Sequence, residues 1–232
     1  VDSTSAEAAR QAPAMPTWYL ALEQTAARGR RNRPWSMPPG NFAASLAWRR
    51  DDSPARMALR SFVASLALHD AFTALGARGL ALKWPNDVLL SDRKVAGILL
   101  ESPAPGLLVL GIGINLIAAP DPAMLEPDAI PPVSLLEATG LRVTPEAMLD
   151  ALAPAYQTRE AQFATDGFPA LRDDWMRHAA RIGQSLTART GTTSVTGTFE
   201  EVDDDGHLIL ATPDGRRRIA AADIFFGAVP CS

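Results

Sequence analysis

Lys83-Trp84-Pro85-Asn86-Asp87 sets a cation, an aromatic, an amide and a carboxylate side by side at the end of an apolar stretch. A lysine there offsets phosphate charge, and a carboxylate suits magnesium, which takes one or two carboxylates plus substrate oxygens and water. The same residues also read as a turn in which Asn86 or Asp87 caps a free amide and Trp84 is core. Lys94 opens the apolar run Val95-Ala96-Gly97-Ile98-Leu99-Leu100-Glu101. From the start of a buried strand a lysine can reach inward to a carboxylate becoming an acyl phosphate, or stand exposed on a hairpin. Upstream, Arg28-Gly29-Arg30-Arg31-Asn32-Arg33-Pro34-Trp35 packs four guanidinium groups into eight residues. With Gly29 and Asn32 able to adopt left-handed backbone, that segment suits wrapping a phosphate as well as it suits a solvated basic loop or a nucleic-acid contact. Gly111-Ile112-Gly113-Ile114-Asn115 ends a further apolar run. Glycines inside a strand mark close ligand approach or plain packing, and the missing third glycine and helix fail the dinucleotide fingerprint.

The elements that must position these residues follow from periodicity and punctuation. Asp2-Ser3-Thr4-Ser5 leads into a short helix that Pro13 and Pro16 stop. Strands are expected at 18–23 and 42–48, with the basic loop over 26–33 between them. Leu59, Phe62, Val63 and Leu66 recur at helical spacing and predict a core-facing helix over about 55–75, which Gly76 and Gly79 end. Strands follow at 80–84, 88–90, 95–101 and 107–115, with a turn at 91–94. After a loop carrying Pro120, Pro122, Pro127, Pro131 and Pro132, Thr144-Pro145-Glu146 starts a helix to about Phe163 whose inner face holds Met148, Leu152 and Tyr156. A further short helix is expected over 168–178. Beyond Gly183 come short strands with turns at Gly191, Asp203–Gly206 and Pro213-Asp214-Gly215, the pattern of a small all-β unit.

Composition narrows the classes. With 232 residues, 47% of them hydrophobic, the chain can bury a core for one ordinary domain plus a small one. A net charge of -4 is not the balance of a general phosphate-backbone binder. The single cysteine, Cys231, allows no internal disulfide, and His69, His178 and His207 show no metal-ligand spacing. No apolar run has the length of a membrane span, and residues 1–10 lack signal-peptide architecture, so a cytoplasmic location is expected.

In this order, the segments resemble the catalytic domain of biotin protein ligases, whose pattern runs D-S-T-N, Q-x-x-G-R-G-R-R-G-R-x-W, K-W-P-N-D, K-x-A/G-G-I-L-x-E and G-x-G-x-N. The resemblance spans about Asp2 to Asn115, and the tail resembles the family's SH3-like barrel. K-W-P-N-D followed by Lys94 and then Gly97-Ile98-Leu99 is its most specific part.

The resemblance implies an ATP-dependent, AMP-forming ligase that activates biotin as biotinyl-5'-AMP and transfers it to a lysine of a biotin carboxyl carrier protein. It implies ATP and biotin as substrates, Mg2+, no tightly bound prosthetic group, no DNA or membrane partner, and a homodimer as one assembly open to it. It places Ser3, Thr4, Ser5, Gln24, Arg28, Gly29, Arg30, Lys94, Gly97, Gly111 and Gly113 around biotin. Arg28, Arg30, Arg33, Trp35, Lys83, Asn86 and Asn115 fall around ATP, with Trp35 on the adenine side. Lys94, Arg30 and Asp87 take the catalytic roles, and Asp87 also holds the metal. Ala27 and Asn32 stand where the family's loop has glycine, and Ser5 where it has asparagine; Asn32 tolerates positive φ, whereas Ala27 restricts the loop. The fold implied is α+β: a mixed sheet backed by helices, as in class II synthetases, over 1–180, and an SH3-like barrel over 181–232. Nothing before Val1-Asp2 supplies a helix-turn-helix, so the DNA-binding arm of some relatives is expected to be absent. The rivals are a lipoate protein ligase and a non-catalytic sensor of biotin or its adenylate.

Overall fold

A computed structural model describes residues 1–121, 123, 129–190 and 193–226. Expectations that fall on Pro122, Pro127, Gly191 and Cys231 lie outside the described residues.

Two alternating strands decide the architecture. In Phe42–Arg49 (β2), Phe42, Ala44, Leu46 and Trp48 enter the main core, while Ala43, Ser45 and Ala47 face the other way. Leu107–Ile114 (β6) repeats the pattern, with Leu108, Leu110, Ile112 and Ile114 on the core face and Leu107, Val109, Gly111 and Gly113 on the opposite one. A strand's side chains alternate with period two, so one face meets helices and the other is left for something else. Thr17–Ala21 (β1), Leu80–Lys83 (β3), Asp87–Leu90 (β4) and Arg93–Ala104 (β5) complete a six-stranded sheet in the order β1-β2-β6-β5-β4-β3. Its ladders are antiparallel, and the parallel pairings are the single bridges Leu82 to Ala179 and Lys94 to Pro132.

The core face is covered by helices. Pro54–Ala58 (α2) is capped by the Ser53 hydroxyl, and Arg60–Ala74 (α3) follows at once. Residues of α3 are buried nearly all round because it lies between the sheet and Pro145–Arg177 (α5). α5 starts on the expected Thr144 cap and proline, and it breaks at Gly167, whose φ of +77° only glycine adopts easily. The break separates the two helical stretches that the sequence pattern suggested. Met148, Leu152, Tyr156 and Phe163 bury the first part, and Phe168, Leu171 and Trp175 the second.

On the other face Thr4–Gln11 (α1) covers one end through Ala8 against Ala47, Leu107 and Val109. A short helix, Leu135–Thr139 (α4), follows the proline-rich loop. Ser185–Thr190 (β7), Thr193–Val202 (β8), Leu208–Thr212 (β9), Gly215–Ile219 (β10) and Asp223–Phe226 (β11) form a second, antiparallel sheet ordered β10-β9-β8-β7-β11. It docks on the first unit through the turn at Gly206, where an added Cβ would come within 2.8 Å of Leu59. The Trp84 indole donates to the Gly206 carbonyl at 2.9 Å. Among the described residues, no helix is long and apolar enough to cross a membrane.

Candidate active site

Where α1 ends its cover, the open face of the sheet becomes the floor of a cavity of about 510 Å³. Glycine makes that floor possible. A Cβ on Gly113 would lie 2.5 Å from the Trp35 ring, one on Gly111 would lie 2.6 Å from Ser5 Oγ, and one on Gly97 would lie 3.1 Å from the Trp35 ring. All the residues singled out as candidates line this one cavity.

One end is a set of hydroxyls and an amide. Ser3 caps α1, its Oγ accepting from the Ala6 amide, which turns the next two residues toward the sheet. Gln24 Oε1 accepts from the Thr4 amide at 2.8 Å. Ser45 Oγ donates to Thr4 Oγ1 at 2.8 Å and shares a hydrogen bond with Ser5 Oγ at 3.0 Å. Ser45 was not singled out in the sequence, although a lone hydroxyl on the inward face of an otherwise apolar strand is the signal that could have found it.

The opposite end is charged. Asp87 is buried, with one carboxylate oxygen 2.7 Å from Lys94 Nζ and the other 3.5 Å from Lys83 Nζ. Burial alone would raise its pKa, but the two ammonium groups outweigh that and hold it below the usual carboxylate range. Burial lowers the pKa of Lys83, with Asp87 opposing the shift. Asp87 thus stands on the cavity wall as a counter-ion shared by the two lysines. Lys94 is also held through its backbone: its N–H donates to the Pro131 carbonyl and its own carbonyl accepts from Val133, both at 2.9 Å.

The basic segment folds over the cavity as a flap. Its backbone bonds close it on itself, from Gly29 N–H to Arg33 O, Arg33 N–H to Arg30 O and Trp35 N–H to Ala27 O. A 3-10 turn at Arg30–Asn32 puts the left-handed residues at Arg31 (φ +56°) and Asn32 (φ +59°), whereas Gly29 stays at φ -106°. The sequence expectation holds for Asn32 and moves from Gly29 to Arg31, because the reversal sits within the turn. Arg30 donates to Asn86 Oδ1 at 3.2 Å and to the Ala222 carbonyl at 3.4 Å, and desolvation lowers its pKa. Asn86 in turn donates to the Ile98 carbonyl at 2.7 Å, so it clamps the flap to β5. Arg28 stays exposed beside Asn32, while Trp35 lies on Gly97 and Gly113 with Lys94 Nζ 5.6 Å from its ring. That seat puts Trp35 directly on the floor glycines.

Asn115 is 2% exposed and lines the cavity, its Nδ2 donating to the Lys94 carbonyl at 3.4 Å. Its Oδ1 has no hydrogen-bond partner among the described residues, a buried acceptor placed for a ligand N–H or O–H. The C-terminal sheet adds Ala222, Asp223, Ile224 and Phe225 to the wall, none of which the sequence picked out. No local signal pointed to Asp223, since its partner Arg33 lies 190 residues away in the chain.

Comparison with known proteins agrees with this arrangement. Residues 2–116 match the model of the biotin/lipoate A/B protein ligase family, and residues 182–227 match that of the biotin protein ligase C terminal domain. The chain is 52% identical to the biotin--[acetyl-CoA-carboxylase] ligase of Paracoccus denitrificans, over 97% of this chain and 98% of that protein. It is 30% identical to the bifunctional ligase/repressor BirA of Bacillus subtilis, over 91% of this chain and 66% of that protein. The fold is shared with a biotin protein ligase from Aquifex aeolicus solved in complex with biotin and ATP, at a TM-score of 0.86 and 23% identity over 96% of this chain and 94% of that one. A glycine-floored cavity, a lysine pair on a buried carboxylate and an arginine flap, together with these matches, place the chain in the biotin protein ligase family.

Proposed function

We propose that the chain activates biotin with ATP and transfers it to a lysine of a biotin carboxyl carrier protein. The observation that carries this reading is the convergence of Lys94 and Arg30 on the end of the cavity opposite the Thr4, Ser5, Ser45 and Gln24 cluster. A ligand with a polar ring, an apolar stem and a carboxylate matches that layout, because buried polar groups at both ends need partners while the stem crosses bare glycine and indole.

In the first step a biotin carboxylate oxygen attacks the α-phosphorus of ATP, forming a C–O–P anhydride as the bond to pyrophosphate breaks. Negative charge builds on the phosphoryl oxygens, and Lys94 and Arg30 are the cations placed to meet it. Magnesium would come with the nucleotide as part of the substrate, and Asp87, on which Lys83 and Lys94 converge, would be the carboxylate beside it. Asp87 also keeps both ammonium groups aimed into the cavity. Asn115 Oδ1 offers an acceptor to the nucleotide. In the second step the amine of an acceptor lysine attacks the acyl carbon and AMP leaves, so no enzyme nucleophile is needed. Between the steps the flap excludes water, which would hydrolyse the anhydride.

Mass spectrometry of a biotin-acceptor domain incubated with the protein, biotin and MgATP tests the reading. The acceptor should gain one biotinyl group, and lipoate in place of biotin should leave it unmodified. An adenylate that forms without acceptor labelling would make the chain a sensor. Labelling by lipoate alone would make it a lipoate ligase.

A further inference from the structure

Two of the flap's arginines reach across to the C-terminal sheet. Arg31 Nη1 and Arg33 Nη2 both reach the same oxygen of Asp223, at 2.6 and 2.9 Å, on the first residue of β11. The Asp223 side chain is 14% exposed while the two arginines are nearly half exposed, so the carboxylate is the more enclosed partner. The neighbouring residue Ala222 takes the Arg30 guanidinium on its carbonyl. Every other backbone hydrogen bond from Gly29 to Trp35 among the described residues closes the flap on itself, which leaves side chains to hold it down.

We propose that Asp223 is a positioning residue, a latch by which the C-terminal sheet keeps the arginine flap shut over the activated intermediate. The inference rests on the adenylate chemistry proposed above. A carboxylate shared by two guanidinium groups is charge-assisted and directional, and two donors on one oxygen constrain the flap more than either alone. Its effect falls on retention: once the anhydride has formed, a shut flap lengthens its residence until the acceptor arrives. The latch is distinct from Arg30, which faces the reacting groups.

The test isolates the protein loaded with labelled biotin and MgATP, then follows loss of bound label in excess unlabelled biotin and MgATP. In Asp223→Asn the bound half-life should shorten by more than about threefold, the scale of a partly exposed ion-pair network. Asp223→Glu should restore it. Non-specific biotinylation of lysines on serum albumin added as a bystander should rise in Asp223→Asn. Combining Asp223→Asn with Arg31→Ala should shorten the half-life no further than Asp223→Asn does, because both changes open one contact. Arg31→Ala alone leaves the C-terminal sheet untouched and should shorten the half-life too, so it reports on the latch even if the Asp223 variant folds poorly. A half-life within about threefold of the parent in a folded Asp223→Asn protein, or additive losses, would overturn the latch. Failure of the parent to hold any labelled adenylate would instead overturn the function on which it rests.

Discussion

Lys94 Nζ lies 2.7 Å from Asp87 Oδ1, tying the second residue of β5 to the first residue of the neighbouring strand β4. The pair explains how a long, flexible side chain is held ready at the cavity without being buried itself: its stem follows the floor beside Gly97, and its charge is anchored below. Lys83 gives Asp87 a second cationic partner besides Lys94.

Replacing Lys94 with alanine should cut adenylate formation by a factor of about 10²–10³, the usual loss when one donor to a developing charge is removed. Thermal unfolding should change little, since Lys94 is part-exposed and Asp87 keeps Lys83. Pyrophosphate release at a near-normal rate would remove Lys94 from the mechanism.

Gly113→Ala puts a methyl group where the Trp35 ring now lies, 2.5 Å from its nearest atom. The indole must lift, carrying the flap's C-terminal end with it. Titration calorimetry should show biotin binding weakened by more than about tenfold, while the helical core behind the sheet keeps its stability. Unchanged biotin affinity would mean that Trp35 is not seated there in solution.

Arg60 is fully buried, 2.8 Å from Asp52 and 2.9 Å from Glu160, with Trp48 and Phe163 beside its guanidinium. Removing one partner of such a network strands the others, so Arg60→Ala should lose about 3–5 kcal/mol in urea unfolding. Arg60→Met fills much of the same volume and should lose less. Equal losses would show that charge, not packing, decides this site.

Asp70 gives the acid limit a handle. Burial would raise its pKa, but the neighbouring His69 and the hydrogen bonds from Arg159 outweigh burial and lower it from 3.8 to about 2. A carboxyl whose folded value is depressed stabilises the protein fully above the ordinary pKa and ceases to as pH falls through the folded one. Asp70→Asn should therefore lower the melting temperature at pH 6, with the gap to the parent closing between about pH 4 and pH 2. A gap independent of pH would rule out the ion pair as its source.

Much of the site was legible because its residues cluster in local sequence. Lys83 to Asp87, Lys94 and the arginine run each occupy one segment, and the alternation of β5 and β6 tells which glycines face the cavity. What stayed hidden depends on distant contacts. Ser45 has a neighbourhood only when α1 folds onto β2, and Asp223 acquires its meaning from a loop at the other end of the chain. Spacing put Asp87 near both lysines but could not show that Lys94 and Lys83 lie against different oxygens of it. In the fold, the start of the long helix could be read from Thr144-Pro145, and its stretches on either side of Gly167 correspond to the two helices expected there. The split at Leu59 of the helix expected over 55–75 could not be read, since no breaker residue marks it.

Trp84 stands between two residues of the catalytic segment, yet its indole N–H is spent on Gly206 in the C-terminal sheet. Cutting the chain after α5 would leave that donor unanswered and bare the ring along with Leu59 and Phe62, so the severed piece should aggregate or loosen at Lys83 and Asp87. The small appendage thus acts as a wedge under the motif, and dissection of this enzyme into halves is expected to silence it by mechanical slack rather than by loss of any reacting group.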